Sequence, residues 1–377
     1  MLALDDYQRL YQEAVEKFFS TLPEEDQIRS LIAGDHPPCA GEVSRIWSRL
    51  VRELKAPALP IAEDLCGEGA GWQEAGIVMR AIGSNLAAVP YLSVMAAARL
   101  LQGIDDAGAA EALCEIAAHG RTYVVAIEAS FMAEAMEAAA LHYGDGKVGG
   151  YVGAVLDAQY AQTFICPVAT ADGLGIALVD RADVQVVPVQ MLDLTRSLSS
   201  LHFKDAPGRL IKPSDAEGSL TDLAAFAAAA LAMESIGGAE RCIADTVNYA
   251  KLRVQFGKQI GSYQAVKHAL ADLLRLVGPA KAAAYAALDA ATNNRGNLPL
   301  AAAVAKLSAV EAYVAAAGTA IQLHGAIGFT WEVTLQLHFK RAIAARTLVG
   351  STAKHRAVLA QAMLAEANAY SFGWDGM

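Results

Sequence analysis

The chain has 377 residues, of which 54% are hydrophobic and 19% are charged. This composition excludes a largely disordered protein and provides enough apolar surface for about two or three domain cores. The formal net charge is −10, which disfavours a nucleic-acid-binding protein because such proteins normally present a basic surface.

The N-terminal segment has neither the basic nor the apolar stretch of a signal peptide. The longest uninterrupted apolar run, Leu223–Met233, is shorter than the ~20 residues that cross a bilayer, so no membrane span is predicted. The histidines lack the spacing of metal ligands, and we expect no metal site. No two cysteines form a CxxC pair, and we expect all five to be reduced, mostly buried thiols of a cytoplasmic protein: Cys39, Cys66, Cys114, Cys166 and Cys242.

Helices are predicted throughout residues 1–119, which we take as an N-terminal helical domain. A loop with three glycines, Leu59–Gly71, divides this part of the chain. The other segments repeat apolar residues at the three- and four-residue steps of a helix: Asp5–Phe19, Gly41–Leu54, Trp72–Ile82, Tyr91–Leu101 and Ala107–Ala117.

A middle β domain is predicted over residues 120–215. No helix-length segment separates its strands and no GxGxxG follows one, so a Rossmann unit is disfavoured and a small antiparallel domain is favoured. The Gly144-Asp145-Gly146 sequence predicts a hairpin turn. The strands themselves are short runs rich in strand-forming residues: Tyr123–Ile127, Thr163–Val168, Leu174–Asp180 and Val184–Val189.

Helical periodicity returns from Asp222 onward. Pro299 suits the first turn of a helix that runs to His324 and ends at Gly325. The pattern predicts a C-terminal four-helix-bundle domain over residues 216–377. The fold class is therefore mainly α with a β insert, that is, α+β.

Two segments carry the clearest chemical signal. In Tyr249–Asp272, Arg253 and Gln255 end one helix and Gln264 begins the next, so a guanidinium and two amides can meet a phosphate. In Ala320–Lys340, the small residues after a helix allow a backbone or a diphosphate to approach closely. Taken separately, the first segment also fits a solvated helix–turn–helix corner with an Arg salt bridge, and the second fits an ordinary helix C-terminus.

Together the two segments resemble the acyl-CoA dehydrogenase family, through RVQFGKQIGSYQ and QLHGAIG. The loop PIAEDLCGEG and the order of the three domains fit the same family. HGAIGFTWE is most similar to the branch that acts on bulky esters such as steroid side chains. The resemblance implies a flavoenzyme in which a glutamate removes the α-proton of an acyl-CoA and a β-hydride passes to FAD.

In this family each FAD lies across a subunit boundary, so that one subunit holds the ring and its neighbour holds the nucleotide end. The resemblance places Arg253 on the pyrophosphate. Ala326 replaces the second glycine that the family usually has. The remaining residues of this clamp surround the nucleotide: Gln255, Phe256, Gln264, Gln322 and the Gly325 backbone.

The ring side of the family pattern is degraded in this chain. Ala126–Met132 keeps only Glu128 of the segment that normally meets the flavin, and Gly149–Ala158 has no Ser or Thr where the family has W-I-T/S. The two positions at which family members carry the catalytic glutamate hold Val349 and Ala227. Neither side chain can accept a proton.

Three hypotheses follow from the resemblance. In the first, the chain is the non-catalytic partner of a homologous catalytic subunit in an α2β2 assembly with shared FAD, acyl-CoA as substrate and an electron-transfer flavoprotein as acceptor. In the second, it is an active homotetramer whose base has moved, with Glu128 as the candidate. In the third, it is a flavin-free protein that binds a CoA ester or acts as a scaffold.

Overall fold

The computed structural model describes residues 4–22, 40–130, 140–293 and 297–371. The N-terminal helices are α1 to α5, and each begins or ends within a few residues of the predicted segment. The Asp5 side chain and Gln8 form a reciprocal capping box that fixes the start of α1. The bounds are Asp6–Ser20, Ala40–Leu54, Trp72–Asn85, Tyr91–Gln102 and Ala107–His119.

The middle region forms one seven-stranded sheet in the described part of the chain. Five strands pair in a closed ring in the order β4, β2, β3, β7, β5 and back to β4. β1 pairs with β4 outside this ring, and β6 pairs with β7. The sheet is mainly antiparallel, but β1 and β2 both run parallel to β4. The strands β1 to β7 are Tyr123–Val125, Leu141–Gly144, Lys147–Leu156, Thr163–Thr170, Gly173–Asp180, Val184–Val189 and Leu198–Ile211.

The C-terminal helices surround α6, the longest described helix. α6 is buried almost all round between Leu223 and Ala239. Gly237 lets it cross α3 closely, because a Cβ there would lie 1.8 Å from the Arg80 carbonyl oxygen. A two-stranded hairpin (β8 Val254–Gln255, β9 Lys258–Gln259) follows α6. The helices α6 to α10 are Ala216–Leu252, Gln264–Asn293, Leu298–His324, Leu335–Ala345 and Thr352–Ser371.

The predicted fold class, mainly α with a β insert, is confirmed. The predicted limits at 119/120 and 215/216 fall between elements, since α5 ends at His119 and α6 begins at Ala216. One apolar cluster joins the N- and C-terminal helices, and a second lies within the sheet. The division into three domains stays a prediction.

Two described helices have the length and apolar composition of a membrane span, although no apolar run in the sequence is that long. Windows in Ala216–Leu252 and Leu298–Phe329 reach mean hydropathies of 1.4 and 1.5. The high average comes from alanines interrupted by single polar residues. Because 89% and 56% of these windows are buried inside the fold, we interpret both as core helices.

The prediction that every cysteine is reduced is wrong for two of them. Cys66 and Cys114 form a disulfide that joins the loop before α3 to α5, with Cα atoms 5.0 Å apart. The sequence separation of 48 hid this pairing, because only the packing of α5 brings the two thiols together. Cys166 and Cys242 are free and buried as predicted, and Cys39 lies outside the described residues.

Candidate functional site

The first predicted segment forms a short hairpin that projects from the end of α6. The Arg253 backbone N–H donates to the Tyr249 carbonyl (2.8 Å), and the Ile260 N–H donates to the Arg253 carbonyl (2.8 Å). Phe256 and Gly257 form the turn with φ of 53° and 80°. The Phe256 side chain is 93% exposed. Gln264 is the first residue of α7, after a 3₁₀ turn, Ile260–Ser262, that follows the hairpin.

The second segment caps α8. Gly325 adopts φ 67° and ψ −140°, which a residue with a Cβ rarely takes, and its N–H bonds back to the Gln322 carbonyl. A turn of 3₁₀ helix, Gly325–Phe329, follows. Ala326 is exposed at its outer face, so its methyl group meets solvent in place of the family's second glycine.

The structure brings the two segments together at one end of the C-terminal helices. Tyr249 and His324 stack with ring centroids 4.1 Å apart and an interplanar angle of 21°. Among the described residues, no carboxylate lies within ion-pair distance of Arg253, so the expected alternative of a salt-bridged corner is not formed. All members of the predicted clamp are solvent-exposed: Arg253, Gln255, Phe256, Gln264, Gln322, Gly325 and Ala326.

A second site lies at the junction of α4, α6 and the sheet. Ala227, Val349 and Glu128, the three candidate positions for a base, all line a single cavity of about 70 Å³. The two ring-side segments meet there, because the Ala129 N–H donates to the Ala154 carbonyl on β3 (2.7 Å). We call this space the ring-side cavity.

The ring-side cavity is mostly apolar. Its lining offers only two polar side chains, Ser93 and Glu128, and leucine occupies position 156 at the end of β3. The Ser93 hydroxyl is already committed to the buried Asp157 carboxylate (2.7 Å). Burial raises the pKa of Asp157 to about 6, against the opposing effects of the Ser93 hydrogen bond and Arg196. Glu128 is exposed at the rim.

Val349 is held in the cavity wall by an unusual contact. Its backbone adopts φ 52°, and its N–H donates to the Ala129 carbonyl. The buried ammonium of Lys306, on α8, donates to the carbonyl oxygens of Leu348, Val349 and Gly350. Burial lowers the pKa of Lys306 to about 7. The sequence analysis missed this lysine because it lies in an alanine-rich apolar helix, where nothing signals its target.

Two glutamates of α6, Glu234 and Glu240, have structural roles. Glu234 is buried and pairs with Arg196 and Arg341. Burial opposes its ionisation, but the two guanidinium groups outweigh burial and keep its pKa below the usual range. Glu240 bridges Arg80 and Lys281. Among the described residues, no group of three or more His, Cys, Asp or Glu side chains forms a metal site.

The clamp and the ring-side cavity are far apart within one chain. Ala227 and Arg253 lie 26 residues apart along α6 and its C-terminal cap. At a rise of about 1.5 Å per residue, this separation is about 39 Å. No single dinucleotide spans that distance, so the two sites cannot hold the two ends of one cofactor.

Comparison with known proteins supports the resemblance. Residues 221–364 match the family model described as "Acyl-CoA dehydrogenase, C-terminal domain". The acyl-CoA dehydrogenase IpdE2 of Mycobacterium tuberculosis is 32% identical over 345 residues, which cover 88% of this chain and 95% of the relative.

Solved structures share the fold over nearly the whole chain. The ChsE4-ChsE5 complex of Mycobacterium tuberculosis superposes with a TM-score of 0.82 at 24% identity, covering 96% of this chain and 98% of the other. A variant of the Tcur3481-Tcur3483 steroid ACAD has a TM-score of 0.84 at 21% identity, covering 97% and 99%. From the full-length relative, the family model and the shared architecture, we conclude that this chain belongs to the acyl-CoA dehydrogenase family.

Proposed function

We propose that this chain is the non-catalytic subunit of a heteromeric acyl-CoA dehydrogenase and completes the FAD site of a homologous catalytic subunit. The observation that carries the proposal is that Ala227 and Val349 occupy both base positions of the ring-side cavity, while the exposed Arg253 clamp lies about 39 Å away along α6. A clamp at that distance from its own ring-side cavity serves a cofactor whose ring lies in another chain.

The contents of the two sites favour a hetero-oligomer over a homotetramer. At the ring side, valine and alanine stand where a base is needed, and a cavity of about 70 Å³ is far below the ~300–1,000 Å³ of typical ligand pockets. At the clamp, a guanidinium without an ion-pair partner among the described residues remains exposed. The chain has therefore kept the half that serves a neighbour and lost the half that would serve itself.

Exposed apolar side chains on the clamp segments support a protein partner. Phe256 and Leu252 are 93% and 79% exposed, and Phe329 and Trp331 after the glycine turn are 72% and 47% exposed. Apolar and aromatic groups of this size at a surface are typical of protein–protein contacts. The names of the ChsE4-ChsE5 complex and the Tcur3481-Tcur3483 dehydrogenase, each with two components, point the same way.

In the proposed α2β2 assembly, the catalytic subunit supplies the glutamate and the ring pocket. FAD, when bound, accepts the β-hydride of the acyl-CoA substrate. This chain's Arg253 holds the pyrophosphate, and its Gln and glycine-turn groups surround the nucleotide. We further propose a bulky, steroid-type acyl group, an electron-transfer flavoprotein as acceptor and a cytoplasmic location, all of which rest on the resemblance.

The test is to co-express this chain with a family member encoded beside it and to measure native mass and flavin content. We expect a heterotetramer with one FAD per pair of chains, and a colourless product when this chain is expressed alone. A yellow, active homotetramer from this chain alone would contradict the proposal. Arg253→Ala should weaken FAD binding by the complex about 10- to 100-fold, since a charge-assisted bond is worth about 1.5–3 kcal/mol.

Arg209→Ala is the matched control, because Arg209 is an exposed arginine of the sheet that pairs with Glu111. If neither arginine variant changes the flavin content, the flavin-free scaffold becomes the better description.

One observation keeps the homotetramer as a second candidate: Glu128 lies at the rim of the ring-side cavity together with both vacant base positions. If Glu128 were the base, Glu128→Gln would abolish dehydrogenation by the isolated chain. If the variant keeps the activity of the wild-type chain, or if neither the wild-type chain nor the variant is active alone, this candidate is removed.

A further inference from the structure

We propose that Tyr249 and His324 form a positioning pair that locks the two halves of the FAD clamp together. The proposal deepens the function above and rests on it, because it concerns the same nucleotide site. In this proposal the two residues contact neither the substrate nor the reacting atoms of the cofactor. They act through Arg253 and Gly325, whose backbones they anchor.

The first half of the clamp is anchored through Tyr249. This residue lies on the last full turn of α6, and its carbonyl accepts the Arg253 N–H at 2.8 Å. A shift of the Tyr249 backbone therefore moves the root of the hairpin that carries Arg253, Gln255 and Phe256.

The second half is anchored through His324. This residue directly precedes Gly325, is only 9% exposed, and its Nδ1 lies 2.7 Å from the Ala320 carbonyl oxygen. With that oxygen as acceptor, Nδ1 carries the proton and the ring is fixed against the last turn of α8. The ring orientation thus sets where the glycine turn leaves the helix.

The contact between the rings joins the two halves. Their centroids are 4.1 Å apart and nearly parallel, and the Tyr249 hydroxyl reaches the His324 carbonyl oxygen at 3.4 Å. The long hydroxyl contact contributes little, so the ring faces carry the coupling. The packing of α6 against α8 brings the two helix ends together, and this partly buried stack is the side-chain contact at the point where the two exposed clamp segments begin.

The experiment measures the FAD dissociation constant of the deflavinated heteromeric complex by fluorescence titration. Tyr249→Ala and His324→Ala should each weaken binding about 5- to 10-fold, the scale expected for the loss of a stacked aromatic pair. Tyr249→Phe keeps the stack, loses only the long hydroxyl contact, and should stay within about twofold of wild type. The double alanine variant should be no worse than either single variant, because both remove the same coupling.

Tyr151→Ala is the matched control, since Tyr151 and His202 form another Tyr–His contact, on the sheet, with centroids 4.7 Å apart. It should leave FAD binding unchanged. Should Tyr249→Ala fail to fold, Tyr249→Leu keeps buried volume without an aromatic face and makes the same prediction.

Two results would overturn the pairing: additive losses in the double variant, or FAD affinity within twofold of wild type after removal of either ring. These failures differ from failure of the proposed function. If Arg253→Ala reduces flavin binding while the ring variants do not, only the positioning role is lost. If Arg253→Ala has no effect, the clamp itself is wrong.

Discussion

At the scale of single residues, Lys306 stabilises the left-handed backbone conformation of Val349, which a β-branched residue disfavours. A β-branched residue such as Val349 at φ 52° costs about 1–3 kcal/mol. The Lys306 amine nitrogen lies within hydrogen-bond distance of three carbonyl oxygens of this loop, and His355 Nε2 lies 2.8 Å from the Val349 oxygen as well. Removing the lysine leaves buried acceptors without donors, which opposes folding.

Lys306→Met should therefore lower the free energy of unfolding by about 2–4 kcal/mol at pH 8, measured by urea denaturation. The folded-state pKa of about 7 lies below the unfolded value of about 10.4. Between these values the unfolded chain binds more protons, so wild-type stability should rise from pH 7 to pH 10 relative to the methionine variant. Lys267→Met, an exposed change, is the control. A flat difference across this range would show that Lys306 keeps an ordinary pKa.

Asp157 should show the opposite pH dependence. Burial raises its pKa to about 6, above the unfolded value of about 3.9. Between pH 4 and pH 6 the folded chain binds more protons, so its contribution to stability is lost as pH rises through 6. Asp157→Asn removes this penalty, keeps an acceptor for Ser93, and tolerates the left-handed φ of 57°.

We expect Asp157→Asn to raise the free energy of unfolding at pH 8 by about 3 kcal/mol, since the pKa is raised by about two units and each unit corresponds to about 1.4 kcal/mol. The gain should disappear near pH 4. Thermal unfolding of both proteins at the two pH values provides the comparison. A loss of stability at pH 8 would mean that attraction to Arg196 outweighs burial.

At the scale of elements, the Cys66–Cys114 bond ties the loop before α3 to α5 across 48 residues. A cross-link of this span restricts the unfolded chain and typically stabilises by about 2–4 kcal/mol. Cys66 is exposed, so a reductant can reach it. Dithiothreitol should lower the midpoint of thermal unfolding in the wild type, with no effect on the Cys66→Ser/Cys114→Ser double variant.

The proposed cytoplasmic location gives this bond a second test, because that compartment keeps most thiols reduced. Alkylation at harvest, followed by mass spectrometry, counts the free thiols in the cell. Labelled Cys66 and Cys114 would show that the bond forms after lysis, whereas blocked residues would argue against a reducing compartment.

The sequence predicted elements better than it predicted contacts between them. Local patterns were enough to predict helix α2, both limits of β6 (Val184–Val189) and the Asp145-Gly146 turn. Each of these features depends on residues that are neighbours in the sequence. The Cys66–Cys114 bond and the parallel pairing of β1 with β4 join residues about 40 or more apart, which no local pattern records. Lys306 was missed for the same reason.

The candidate site divides in the same way. Motif spacing placed Arg253 and Gly325 on segments that meet in the fold, and it placed Ala227 and Val349 on one cavity. It gave no sign of Tyr249 as the contact between the segments, since a tyrosine on a helix face usually serves the core. The size of the ring-side cavity also depends on packing between α4, α6 and β3, which the sequence does not specify.

At the scale of the whole molecule, the proposed non-catalytic role rests on more than the valine and alanine at the two base positions. A positioned general base contributes about 10²–10⁴-fold, but it acts only on a substrate held against a bound ring. The ring-side cavity has a volume of about 70 Å³ and two polar side chains, one of them already bonded. This cavity is smaller than a typical ligand pocket and has few polar side chains to bond a flavin ring and a thioester.

Restoring the base alone should consequently fail. We expect Ala227→Glu and Val349→Glu, each made in the isolated chain, to give no acyl-CoA-dependent dye reduction and no bound flavin, even with added FAD. In the heteromeric complex, both variants should retain wild-type flavin content, because Arg253 and the glycine turn lie about 39 Å away along α6. Activity gained by either isolated variant would mean that the cavity opens to admit the ring, so that the chain lacks only a carboxylate and its reliance on a catalytic partner is misjudged.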